Sequence, residues 1–193
     1  LLNGLAEEEE DQTNFRGSNI TLTAKADDSG NIGNIGSSEH WITTETEGVL
    51  NAEAGRQIWL KDSRAEGMLK LGSLKADDRI TLRAAGDIVN GIPDQDGSVN
   101  VSAEEISLRA DGNIGAKDKV LLTETKNAAL EAENIYLKNQ GSLNLSKAEA
   151  AADMELEVSG NLTSAGTTVK ADHLLVKADN ADLKTRENEI AGT

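Results

Sequence analysis

The side chains with the most chemical potential are Asp77 and Glu104, with Arg79, Arg83 and Arg109 near them. Paired carboxylates beside a base are the equipment of polysaccharide lyases and hydrolases, which move protons around a glycosidic bond. Acids recur along the whole chain, however, so a solvated acidic face accounts for these two without catalysis. Other acidic turns stand at Asp27-Asp28, Asp77-Asp78, Asp94-Gln-Asp96-Gly97 and Asp111. Asp-x-Asp-Gly resembles the opening of a calcium loop, but the later Glu ligand does not follow. The Gly-Gly-x-Gly-x-Asp calcium repeat is missing too. His40 and His173 are too few and too scattered for a metal site or a catalytic triad. No catalytic residue, metal ligand or cofactor is expected.

The aromatic residues are the second candidates. Trp41, Trp59 and Tyr136 form the candidate binding surface, because aromatic rings on a strand face stack on sugars or dock a partner. The alternative is that a lateral loop covers them, since Trp is rarely left bare.

These residues sit in a repeat. In Ala103-Glu-Glu-Ile106-Ser-Leu108-Arg-Ala110-Asp-Gly112-Asn-Ile114-Gly115, the apolar or small residues fall at every second position from Ile106. Period two marks a strand with one buried and one wet face. Copies begin at Ile20, Ile58, Ile80, Ile106, Ile135, Leu156 and Leu174, at intervals clustering in the low twenties. Such intervals indicate a solenoid, propeller or array. Period two excludes helical repeats, and propeller blades would need about 40 residues each. A right-handed parallel β-helix of seven or eight coils is expected, stacked at about 4.8 Å into a rod roughly 35 Å long.

Within a coil, Ile-x-Leu-x-Ala reads as one strand and Gly-Asn-Ile-Gly as the corner after it. Further strands are expected at Val49–Asn51, Leu69–Leu71, Val99–Val101 and Ala129–Glu131. The segments Ser37–Glu47 and Pro93–Gly97 read as loops leaving the stack. Lys147–Asp153 is either a short lateral helix or a turn within a coil. If the Ile-x-Leu pairs stack in one register, Thr21, Trp59, Thr81, Ser107, Tyr136, Glu157 and Leu175 form a single outward stripe. Trp59 and Tyr136 would then stand three coils apart, about 14 Å. Domain bounds are 1–17 for a cap or preceding coil, 18–183 for the repeats and 184–193 for a tail or cap.

Composition narrows the function. The 193 residues carry 34 Asp and Glu against 19 Lys and Arg, a net charge of −15. A chain this acidic repels phosphate backbones, so no nucleic-acid partner is expected. Aromatics are only 2 %, which leaves a thin aliphatic core suited to a solenoid. With no Cys, disulfides and thiolate metal sites are excluded. The start on Leu1 suggests a segment of a longer protein.

At Ile-x-Leu-x-Ala-x-Gly-Asn-Ile-Gly the text resembles the repeats of bacterial filamentous haemagglutinin-type adhesins, the large exoproteins of two-partner secretion. Asp111-Gly-Asn-Ile-Gly115 and Ala84-Ala-Gly-Asp-Ile88 carry the likeness, over roughly residues 18–183. The large repetitive leukotoxin-type members are the nearest echo. The resemblance implies a secreted or surface-displayed virulence fibre that is exported through an outer-membrane secretion partner. Such a fibre acts in cell adhesion or as a toxin. It is no enzyme; it serves as a rigid stalk that meets a host cell surface protein or glycan with its flank. An excised segment exposes strand edges at both ends, so caps or end-to-end self-association are expected. The alternative is a carbohydrate-active β-helix enzyme working through Asp77 and Glu104.

Overall fold

Inward positions along the chain carry Ile, Leu, Val and Ala, and the positions between them carry Thr, Lys, Glu and Arg. A strand patterned this way must lay its apolar face on another strand's apolar face. In the computed structural model it does so by winding. Parallel strands form an all-β solenoid of about six turns. No helix occurs among the described residues, which are 12–24, 33–64, 67–93, 98–164, 167 and 169–183.

Each turn contributes one strand to each of two sheets. The first sheet runs through Ile42–Thr46, Gln57–Asp62, Arg79–Ala84, Glu105–Ala110, Asn127–Ala132 and Leu143–Ala150. The second runs through Val49–Ala54, Met68–Lys75, Val101–Ser102, Leu121–Glu124, Ile135–Asn139 and Asp153–Val158. Strand Phe15–Gly17 already joins the first ladder, opposite Thr44–Thr46. Terminal residues 1–11 and 184–193, assigned above to caps, lie outside the described residues.

The core is a set of vertical aliphatic columns. In the first sheet Ile58, Ile80, Ile106 and Ala128 stack in register, and so do Leu60, Leu82, Leu108 and Leu130. All eight are at most 1 % exposed. Burying one Ile or Leu side chain contributes roughly 1.5–3 kcal/mol, so column length sets stability. A smaller third side joins Ile88, Ile114 and Ile135 by isolated parallel bridges.

Several expectations need correction. Ile135 does not stand above Ile106: Ala128 does, and Ile135 belongs to the second sheet. The single outward stripe therefore splits. Trp59, Thr81 and Ser107 are in register on the first sheet, whereas Tyr136, Glu155 and Leu175 are in register on the second. Both sheets use the same inward aliphatic alternation, and that pattern carries no label for the side of the coil it occupies. Lys147–Ala150 is strand, pairing with Ala129–Ala132 after a one-residue bulge. Its Ala148 and Ala150 are inward and its Lys147 and Glu149 half-exposed, so period two overrides the helical preference of Ala. Within the expected loop Ser37–Glu47, Ile42–Thr46 is a full strand of the first sheet. Of the second expected loop, residues 94–97 lie outside the described residues.

Candidate functional site

Two corners of the coil share one design. At Asn34-Ile35-Gly36 the chain pairs Ile35 with Ile58, accepts the Trp59 amide at the Ile35 carbonyl (2.7 Å) and then leaves the ladder. At Asn113-Ile114-Gly115 it pairs Ile114 with Ile135, accepts the Tyr136 amide at the Ile114 carbonyl (2.7 Å) and leaves again. Both exits use glycine at positive φ, +69° at Gly36 and +72° at Gly115. A Cβ at Gly36 would stand 2.6 Å from the Trp59 carbonyl oxygen, and one at Gly115 would run into that of Tyr136. Only glycine fits, by conformation and by space.

The two excursions end differently. The one after Gly36 closes through Ser37 N–H to His40 O (2.8 Å) and rejoins the first sheet at Ile42. It delivers Trp41 against Trp59, with ring centroids 5.3 Å apart and planes at 84°. This edge-to-face contact is worth roughly 0.5–1.5 kcal/mol beyond burial. The Arg83 guanidinium lies 4.5 Å from the Trp41 ring centroid, a cation–π contact. The Trp59 indole N–H points at Gln57 Oε1, 3.4 Å away. Both indoles remain half-exposed.

The excursion after Gly115 returns to the second sheet at Leu121, by way of a small hairpin between Ala116 and Lys119. Here Tyr136 stands in register with Glu155, and its hydroxyl donates to Asp153 Oδ2 (3.3 Å). Partial burial raises the phenol above its usual value, and the Asp153 carboxylate adds to this. The structure thus brings Trp41 and Trp59 together and leaves Tyr136 on the other sheet.

Beside the tryptophans runs a column that sequence reasoning missed. Lys61, Arg83 and Arg109 are in register on three successive strands of the first sheet. The signal was present as Ile58-x-Leu-Lys61, Ile80-x-Leu-Arg83 and Ile106-x-Leu-Arg109.

The acids do align. Glu104 N–H donates to Asp77 O (3.2 Å), so the two residues occupy the same corner of neighbouring coils. They line an open groove of about 470 Å³ with Lys75, Glu124 and Lys126. Lys126 Nζ sits 2.5 Å from Glu104 Oε1, and both side chains are well exposed. Arg79 is engaged by Glu105 at 2.5 Å. Among the described residues no three His, Asp or Glu side chains cluster to hold a metal ion, and no helix is long and apolar enough to cross a membrane. The acidic turns at Asp27-Asp28 and Asp94–Asp96 lie outside the described residues.

Compared with protein-family models, with curated proteins and with solved structures, the chain matches none.

Proposed function

We propose that this chain is an internal segment of a large secreted bacterial filamentous adhesin, in which a right-handed β-helix of seven or eight coils serves as a stiff stalk. Its flank binds a protein or glycan on the host cell surface, and the full-length protein leaves the cell through an outer-membrane secretion partner. The observation that carries the reading is the half-exposed Trp41–Trp59 pair. A glycine-led excursion holds it on the outside of an unbroken ladder. Large rigid aromatics on a preorganised surface bind at low entropic cost. The resemblance to filamentous haemagglutinin-type repeats points the same way, as does a net charge of −15, which disfavours a nucleic-acid partner.

Labelled chain should attach to host epithelial cells or leukocytes in flow cytometry, and W41A/W59A should lose most of the signal while Y136A keeps it. Equal attachment by the double variant would sink the reading. The aligned Asp77 and Glu104 in their groove favour a second reading, a carbohydrate-active enzyme. It requires cleavage of an acidic glycan that stops in D77A or E104A, and no turnover on a broad glycan panel retires it.

A further inference from the structure

Among the described residues Asp62 is the one ionisable side chain that is buried, at 2 % exposure. It belongs to an inward column that reads Thr44, Asp62, Ala84 and Ala110 on four successive strands of the first sheet. Its neighbours in that column are uncharged, and Lys61, one residue earlier, points to the opposite face. Three donors reach the carboxylate: the Thr44 hydroxyl at Oδ2 (3.1 Å), the Thr46 amide at Oδ2 (3.2 Å) and the Arg64 amide at Oδ1 (3.2 Å). None of the three is a charged group. Arg64 sends its guanidinium to the Met68 carbonyl (3.2 Å) and attracts the carboxylate only from a distance. A buried charge held by neutral donors alone is heavily penalised.

A second group beside it is also incompletely bonded. Thr46 is 0 % exposed, and its hydroxyl has no hydrogen-bond partner. It lies two residues after Thr44, on the same inward face, and its amide is already on Asp62 Oδ2. Its hydroxyl is thereby confined to the neighbourhood of the carboxylate. A buried hydroxyl without a partner calls for an ion or a water against it. A carboxylate offers about four lone-pair sites, so three donors leave Asp62 with one to spare. The Thr44 hydroxyl donates to Asp62 and keeps its own lone pairs. The three side chains thus present unused oxygen lone pairs to one buried corner, next to the bare methyl group of Ala84.

We propose that Asp62, Thr44 and Thr46 bind a monovalent alkali cation of sodium size inside the coil, between strands Ile42–Thr46 and Gln57–Asp62. The donors are all hard oxygens, which suit s-block ions and not the soft transition metals. Charge decides between the s-block ions. One carboxylate cancels one positive charge, whereas calcium would leave a net charge buried and ordinarily draws several carboxylates. Water would satisfy the Thr46 hydroxyl but leave the carboxylate uncompensated. The ion ties the strand that delivers Trp41 to the strand that carries Trp59, so it acts on the rigidity of that surface and not on what the surface recognises. The site stands whether or not the flank is adhesive.

The test is thermal unfolding of the chain at neutral pH in sodium, potassium and choline chloride of equal ionic strength, so that screening of the acidic surface is the same in each. Near-ultraviolet tryptophan dichroism follows the coil that holds the site. Choline is too large to enter. Sodium or potassium should raise the midpoint over choline by about 3–6 °C at roughly ten times the dissociation constant, and the gain should level off as a binding curve. Thr46→Val keeps the shape and removes the orphan hydroxyl. It should unfold no lower than the parent chain in choline and gain little from sodium. Asp62→Asn should lose the gain as well, and Thr46→Val serves alone if Asp62→Asn fails to fold. Equal midpoints of the parent chain in all three salts overturn the proposal. So does a sodium gain that survives in both variants, which would be a surface effect. A midpoint that Thr46→Val lowers equally in every salt means a buried water only, and a gain from calcium chloride without one from sodium or potassium refutes the monovalent ion.

Discussion

Asn139 holds two coils together from an inward position, where the alternation Ile135, Leu137, Asn139 calls for an aliphatic residue. Its Oδ1 accepts from the Thr123 hydroxyl (2.9 Å) and the Thr125 amide (3.1 Å) of the preceding coil. Its Nδ2 reaches the carbonyls of Thr125 (3.2 Å), Gln140 (3.1 Å) and Gly141 (3.3 Å). In Asn139→Ala the buried Thr125 amide loses its acceptor. An orphaned buried donor costs about 1–3 kcal/mol, and each lost neutral hydrogen bond about 0.5–1.5 kcal/mol. Gln140 and Gly141 are exposed, so water replaces the donor at their carbonyls. The expected loss is about 3 kcal/mol. With a urea slope of roughly 2 kcal/mol/M, the unfolding midpoint should fall by about 1.5 M at unchanged slope. Equilibrium urea unfolding followed by circular dichroism reads this directly. Asn161→Ala serves as control, since Asn161 is exposed and accepts one bond from Asn180 (3.0 Å); it should shift stability by less than about 0.5 kcal/mol. If Asn139→Ala unfolds with the control, side-chain bonding from Asn139 does not hold the coils together.

Ile106→Ala opens the middle of a fully buried column and should cost about 2–5 kcal/mol in the same assay. Gly36→Ala forces a side chain into positive φ against the Trp59 carbonyl, so the Trp41–Trp59 contact should separate; loss of near-ultraviolet tryptophan dichroism while the far-ultraviolet strand signal persists is the expected readout. Burial raises the Asp62 carboxyl above the ordinary aspartate range, outweighing the bonds it accepts from Arg64, Thr46 and Thr44. Its favourable contribution is therefore complete below the unfolded aspartate value and is lost as pH rises through the folded one. Asp62→Asn removes this titration, so its stability relative to the parent chain should grow as pH rises from acid to neutral. A constant or shrinking difference would contradict the assignment.

The period-two alternation made the solenoid readable, and the Asn-Ile-Gly corners at Asn34–Gly36 and Asn113–Gly115 were recognised as corners. Which sheet a copy belongs to was not readable. Ile58-Trp-Leu60 and Ile135-Tyr-Leu137 follow identical corners yet face opposite ways, because the excursions after Gly36 and Gly115 return to different sheets. The partner of Ile106 is Ala128 in Asn127-Ala-Ala-Leu130, a copy so small in side-chain volume that the louder text at Ile135 concealed it. Asn90, Asn100 and Asn139 are buried, and two of them bond each other: Asn100 Nδ2 donates to Asn90 Oδ1 at 3.0 Å. A polar residue at an inward position of the alternation was the available signal. The Trp41–Trp59 contact had none, since it depends on how a short excursion folds back.

Stability and surface chemistry occupy different halves of this alternation. Inward residues meet the same type in the next coil, so the ladder tolerates any outward residue that strand geometry accepts. Ion pairs that form along the flank are exposed and worth roughly 0–1 kcal/mol each. Replacing one barely changes the fold. A column such as Lys61, Arg83 and Arg109 is consequently affordable at small cost, while its spacing is held by the backbone ladder rather than by its own contacts.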